Sequence, residues 1–168
     1  MNKRSCILIG MAGVGKSTVG PFLAEKLGFG FVDVDEAIFE KYGKTVAEIL
    51  AAEGDEGFSQ KEEQTIREIN LQEIVMAPGG SIVYHEDLMN DMRKQTMMIY
   101  LRDEFENIKE RLEKKQGIQN IVGIRTKSLE QVFKERLPLY EKYAEVTIDV
   151  QGKSPEVVAE EIMEKLEV

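Results

Sequence analysis

A lysine and a serine close a glycine-rich run, Gly10-Met11-Ala12-Gly13-Val14-Gly15-Lys16-Ser17, and two aspartates, Asp33 and Asp35, close the next apolar stretch. The run fits G-x-x-x-x-G-K-[ST], a pattern whose chemistry is the grip on a polyphosphate. Glycines let the backbone wrap closely around the anion, and the N–H groups of Gly13, Val14 and Gly15 can turn inward. A helix starting at Lys16 adds the partial positive charge of its N-terminus. Lys16 reaches the outer phosphates, Ser17 ligates Mg²⁺, and Thr18 stands beside them in the first helical turn. Asp33 and Asp35 lie two residues apart, so in extended chain they point to one side. Such a pair suits Mg²⁺ and a substrate hydroxyl. The plainer alternative is that Asp35 caps the following helix, which explains one aspartate and leaves the other.

That chemistry needs a strand before the loop and a helix after it. Cys6–Gly10 reads as a buried strand, and a helix from Lys16 to Leu27 stops at Gly28. Further strands fall at 31–34, 73–77, 97–101 and 145–150, with helical patterns at 36–41, 45–53, 55–72 and from Ser154-Pro155 onward. Short apolar strands alternating with helices imply an α/β chain with a parallel sheet covered on both faces. In such sheets the carboxyl ends of the strands line the ligand crevice, which places Asp33 and Asp35 opposite the glycine loop. The segment 114–127 is polar and glycine-punctuated, and reads as a mobile loop between two helices.

Two more charged residues sit on apolar helix faces. Glu62 shares a stripe with Phe58, Thr65, Ile66 and Ile69. A buried carboxylate without a partner is costly, so Glu62 should have one, unless it sits at an edge that reaches water. Arg136 projects from a face made by Leu129, Val132, Phe133, Leu137 and Tyr140. It reads as an anion ligand, against the alternative of an exposed structural arginine. Pro138 should kink or end that helix. The lone His85 has no evident partner in the sequence and reads as a surface or capping residue.

The chain has 168 residues, a net charge of −9, 42% hydrophobic and 32% charged residues. The length suits one domain spanning 1–168. The negative balance argues against general nucleic-acid binding. No apolar run approaches the ~18 residues of a membrane span. The short basic-then-apolar start reads as a first strand rather than a leader. One cysteine, Cys6, allows no internal disulfide and fits a cytoplasmic protein. An N/T-K-x-D element is missing: Thr126-Lys127-Ser128-Leu129 lacks the aspartate, and the D-x-x-G of Asp149 to Gly152 comes too late for a GTPase.

Taken together, these residues resemble the shikimate kinase family of P-loop, nucleoside-monophosphate-kinase-like proteins. The resemblance runs almost end to end, through 10–20, 31–38, 53–58 with Glu62, 77–81, 98–101 and 135–140. It implies a three-layer α/β/α fold with a five-stranded parallel sheet, substrate-binding helices within about 33–62 and a lid over about 114–127. It implies ATP as donor, Mg²⁺ and a small hydroxylated acceptor; the chain itself is expected to be a monomer. It places Asp33 on Mg²⁺ through water, Asp35 on the acceptor hydroxyl, Gly79 and Gly80 on the acceptor through backbone N–H groups, Arg136 on its carboxylate, and Arg111 near the nucleotide.

The chain departs from the family in three places. Phe58-Ser59-Gln60-Lys61-Glu62 has Ser59 where the family has an arginine that holds the acceptor carboxylate and pairs with the glutamate. Ser81 replaces the third glycine of the turn. The lid's R-P-L-L is absent, leaving Arg125 as the candidate replacement for its arginine. Losing one arm of the clamp would cost ~2–5 kcal/mol of acceptor binding. A freed Glu62 would then suit an ammonium group, which raises homoserine, or another hydroxylated amino acid, as an alternative acceptor. A third reading is a non-catalytic ATP-binding module.

Overall fold

A computed structural model describes residues 4–166. Five strands form one parallel sheet: β1 Ser5–Ile9, β2 Gly30–Asp33, β3 Ile74–Ala77, β4 Thr96–Arg102 and β5 Val146–Asp149, in the order β2-β3-β1-β4-β5. Every residue of β1 is buried, although successive side chains point to opposite faces. Both faces of the sheet are therefore covered, as the apolar, non-alternating strand sequences require. The helices that cover it are α1 Lys16–Leu27, α2 Val34–Tyr42, α3 Val46–Arg67, α4 Glu86–Arg93, α5 Phe105–Lys114, α6 Leu129–Tyr143 and α7 Pro155–Lys165. Two 3-10 turns, Gly80–Tyr84 and Ile118–Asn120, complete the set.

Local chemistry accounts for most helix ends. Gly28 stops α1 at φ 74°, a left-handed value that favours glycine. Ser154 caps α7 by accepting from the Val157 N–H, with Pro155 in the first turn. Ser128 and Gln131 form a reciprocal capping box on α6.

Three sequence expectations change. The break between the helices expected at 45–53 and 55–72 is present, since Gly54 inside α3 has non-helical φ 72°, ψ −172°, but the second helix ends at Arg67 instead of reaching 72. Pro138 does not end α6, which continues to Tyr143. Pro138 and Lys134 both face solvent, so water can satisfy the Lys134 carbonyl that the proline leaves without a donor. The second strand ends at Asp33, so Asp35 lies in the first turn of α2 and not on the strand.

The order of strands sets the site. β1 lies between β3 and β4, so the chain leaves β1 at the point where strand order reverses. In parallel α/β sheets that switch point opens a crevice beyond the strand ends. The glycine loop after β1, the Asp33 end of β2 and the turn after β3 all meet there. No described helix is long and apolar enough to cross a membrane. Cys6 is fully buried in β1, and burial pushes its thiol up to about 12, so it is core packing.

Candidate active site

The loop between β1 and α1 is held tightly. Gly10, at φ 148°, has no room for a side chain, since a Cβ would lie 2.6 Å from the Leu101 carbonyl oxygen. Gly15, at φ 109°, precedes α1 as its N-cap. Lys16 is 8% exposed, and its Nζ donates to the carbonyl oxygens of Gly10 (2.6 Å) and Met11 (2.9 Å). Burial pulls the Lys16 ammonium down to about 8, against the opposing pull of Asp35. A phosphate in the loop would give that ammonium a charged acceptor in place of two neutral ones.

Ser17 and Asp33 face each other across this cleft, with Ser17 Oγ donating to Asp33 Oδ2 at 2.8 Å. The other Asp33 oxygen accepts from the N–H groups of Asp35 (2.9 Å) and Glu36 (3.3 Å). The cap of α2 is thus Asp33, and not Asp35 as the alternative reading of the sequence had it. One aspartate both caps the helix and turns an oxygen to Ser17. This releases Asp35 from any capping duty. The hydroxyl–carboxylate pair suits a hard divalent cation that takes its other ligands from phosphate and water. Among the described residues no cluster of three or more His, Cys, Asp or Glu forms a self-sufficient metal site.

Asp35 stands where two hollows meet. One is the phosphate cleft, lined by Gly13, Gly15, Lys16, Ser17, Thr18 and Asp33. The other is a cavity of about 150 Å³, lined by Asp35, Phe58, Gly79, Gly80, Ser81 and Arg136. That is well below the ~300 Å³ at which drug-sized sites begin, so the cavity suits one small metabolite. The Asp35 carboxyl opens onto the cleft yet is ringed by protein. It is pushed up to about 6, first by desolvation and then by Asp33 and Glu62, with Lys16 opposing. Segment 114–127 covers the cavity through Gly117, Ile121 and Val122, with Ile121 itself buried. The Gly123 N–H donates to Asp55 at 3.0 Å.

Arg136 is 2% exposed and has no carboxylate partner among the described residues. Its Nη2 donates to the Val122 carbonyl at 2.8 Å and its Nε to Tyr84 Oη at 3.4 Å. Its Nη1 lies against Gly80, 3.0 Å from where a Cβ would stand. A buried guanidinium without an anion is costly, and the cavity beside it is where the anion would go. Tyr140 holds the same turn from the other side, donating to the Gly80 carbonyl at 2.7 Å.

Glu62 is fully buried, as its stripe implied, and its partners are Ser81 and His85. Ser81 Oγ donates to Glu62 Oε1 at 3.3 Å, and His85 Nε2 lies 3.7 Å from the same oxygen. Neither Glu62 nor Ser59 lines the acceptor-sized cavity. Ser59 Oγ is 3.1 Å from His85 Nε2. His85 is therefore not the free surface residue the sequence suggested. Its carbonyl starts α4, but its ring is folded back against α3.

The nucleotide side of the loop carries a third hollow, lined by Val14, Thr18, Arg111, Lys115, Lys153 and Pro155. Arg111 is fixed by a 2.8 Å ion pair to the buried Asp103 and a 3.4 Å bond to the Gly13 carbonyl. Arg125 is exposed and lines none of these hollows. The basic residue of segment 114–127 that lines the phosphate cleft is Lys115. Sequence reasoning passed over Lys115 because it follows α5 in an ordinary charged run. The only available signal was its place at the start of the lid.

Comparison with known proteins supplies a family. The family model described as shikimate kinase matches residues 12–167. Proteins named shikimate kinase 1 from Yersinia enterocolitica and Serratia proteamaculans are each 36% identical over 168 residues, covering 98% of this chain and 97% of theirs. Among solved structures, shikimate kinase from Acinetobacter baumannii in complex with shikimate superposes with a TM-score of 0.87 at 28% identity, covering 98% of this chain and 93% of that one. Shikimate kinase from Aquifex aeolicus gives 0.84 at 28%, covering 97% and 96%. A gluconokinase from Sinorhizobium meliloti, at 20% identity and 0.60, shares the fold.

Proposed function

The chain belongs to the shikimate kinase family, and from that membership we propose that it transfers the γ-phosphate of ATP to a hydroxyl of shikimate, with Mg²⁺ at Ser17 and Asp33. The observation that carries the acceptor is Arg136: a buried, unpaired guanidinium lining a small cavity that joins the phosphate cleft at Asp35. It calls for a small molecule with a carboxylate at one end and a hydroxyl at the other. The Acinetobacter relative, solved with shikimate bound, supports that choice.

In this reading the acceptor carboxylate pairs with Arg136, and the N–H groups of the Gly79-Gly80 turn hold its ring. Asp35 orients the hydroxyl and takes its proton as the oxygen–phosphorus bond forms. The bond from γ-phosphorus to the bridging oxygen breaks, and ADP leaves. Lys16 and Lys115 face the charge that spreads over the transferring phosphoryl group, while Arg111 steadies the loop from the nucleotide side. When bound, Mg²⁺ neutralises phosphate charge. The cover formed by 114–127 excludes water, which limits wasteful hydrolysis. We assign the whole chain to one kinase unit acting as a cytoplasmic monomer.

Homoserine as acceptor loses its motive. That reading needed a Glu62 without a cation and within reach of the acceptor. His85 and Ser81 take up the Glu62 carboxylate, behind the cavity wall. The test is ADP release with ATP and Mg²⁺, comparing shikimate with L-homoserine at equal concentration. Strong stimulation by shikimate is expected. Stimulation by homoserine alone would overturn the assignment, and silence with both would favour an ATP-binding module.

The two shifted groups also predict a pH profile. Transfer needs Asp35 ionised and Lys16 protonated. The kcat/KM for ATP should therefore fall below about pH 6 as Asp35 gains a proton and above about pH 8 as Lys16 loses one. A profile flat from pH 5 to 9 would remove both from the mechanism.

A further inference from the structure

Four side chains that no step above uses, Ser59, Glu62, Glu63 and His85, meet behind the acceptor cavity. His85 presents both ring nitrogens to carboxylates: Nε2 lies 3.7 Å from Glu62 Oε1 and Nδ1 lies 3.3 Å from Glu63 Oε2. Ser59 Oγ sits 3.1 Å from Nε2. A neutral imidazole has one N–H and can serve only one of these acceptors, whereas the imidazolium serves both. Glu62 is fully buried, and His85 is the ionisable base beside it. Its second oxygen has no hydrogen bond and lies against Gly79, 2.8 Å from where a Cβ would stand. Its first oxygen accepts from Ser81. Glu62 is thus the rear support of the Gly79-Gly80-Ser81 turn, whose front lines the acceptor cavity.

We propose that protonated His85, clamped between Ser59, Glu62 and Glu63, is a positioning residue that neutralises Glu62 and thereby holds the Gly79–Ser81 turn in its acceptor-binding form. The inference rests on the phosphotransfer reading above for its kinetic consequences, though not for the charge of His85 itself. Without a proton on His85, a buried carboxylate would stand uncompensated directly behind the turn. The turn would then yield to admit water, and the acceptor would lose contacts on the side opposite Arg136.

Charged groups on every neighbouring element fit this assignment. From α3, Glu62 and Glu63 face the ring, and Arg67 holds the other Glu63 oxygen at 2.9 Å. On α4, Glu86 and Asp87 follow His85 in the first turn, Glu86 pairing with Lys142 of α6 and Asp91 with Arg67 and Lys94. On α6, Arg136 is turned to Tyr84 and Val122. Among the described residues, His85 is therefore the one basic group paired with Glu62. The carboxylates, Glu62 foremost, hold the imidazole above its ordinary 6.5 against the opposing effect of burial. The sign follows: acceptor affinity is full while His85 is protonated and is lost as pH rises through its raised value.

His85 is the single histidine of the chain, so one imidazole resonance reports on it alone. Titration of the full-length protein followed by NMR should give a pKa above 6.5 in the wild type, falling in Glu62→Gln. A wild-type value at or below 6.5 would overturn the proposal whatever the enzyme's substrate. Kinetics at saturating ATP, where phosphate engages Lys16 and removes it from the profile, supply the second test. The KM for shikimate should rise by roughly tenfold in His85→Asn at pH 6.5, with the KM for ATP unchanged. Its increase with pH, seen in the wild type, should disappear. An unchanged KM profile in His85→Asn, or equal effects on both substrates, would refute the positioning role. If shikimate is not a substrate at all, the titration still decides the charge of His85.

Discussion

Asp35→Asn is expected to lower kcat by a factor of about 10² to 10⁴, the usual worth of a positioned proton acceptor. Asparagine keeps the shape and can still hold the hydroxyl, but it cannot take the proton. Asp35 is well placed for that task. The cap of α2 is made by Asp33, so the Asp35 side chain is free, and it is the one carboxylate that lines both the phosphate cleft and the acceptor cavity. Its raised value of about 6 leaves it ionised at neutral pH yet basic enough to accept a proton. Binding of ATP should persist in the variant, since Lys16 and Ser17 are untouched. The acidic limb of the pH profile should vanish with the carboxylate. Steady-state rates and ATP affinity, measured side by side, decide the matter. A kcat within a factor of ten of wild type would reduce Asp35 to an orienting contact.

Arg136→Met should act on the other end of the acceptor. Removing one partner of a buried ion pair costs about 2–5 kcal/mol, which corresponds to roughly 30- to 5,000-fold in KM for shikimate. The KM for ATP should hardly move. Methionine fills much of the space and carries no charge, so the change isolates the guanidinium. The substitution also frees the Val122 carbonyl, which Arg136 holds at 2.8 Å, so part of the loss belongs to the cover of the cavity. Arg136→Lys separates the two contributions. It keeps a cation but loses the planar fork, and should fall between wild type and methionine. Calorimetric titration with shikimate, beside a thermal melt to check folding, gives the answer. Wild-type affinity in Arg136→Met would leave the buried guanidinium without a ligand role and would remove the main argument for a carboxylate-bearing acceptor.

The residues that were legible early share one property: their roles are set by near neighbours in the chain. The grip of Gly10 to Ser17 depends on backbone turns within eight residues. The end of α1 at Gly28 and the start of α7 at Ser154-Pro155 depend on single turns. Burial of Glu62 and Arg136 followed from helical periodicity, because neighbours on a helix face share an environment. Asp33 and Asp35 were found as a pair, but the capping alternative named Asp35 where the cap is Asp33. One residue of difference in where β2 ends decides which aspartate caps α2, and strand ends are set by pairing with β3 rather than by local sequence.

What the amino-acid sequence determined by itself is the phosphate loop, the alternating strands and helices, and the burial of two charges, Glu62 and Arg136. Each of these is written in spacing, and spacing survives without a fold. What only the tertiary structure decided is who stands next to Glu62. Ser59 and His85 lie 26 positions apart and belong to different elements. Segment 114–127 likewise brings Lys115, and not Arg125, to the phosphate cleft. A departure at Ser59 reads in one dimension as a lost charge. In three dimensions a histidine from beyond the next strand lies beside Ser59, because contacts between elements depend on where the chain returns and not on how far it has run.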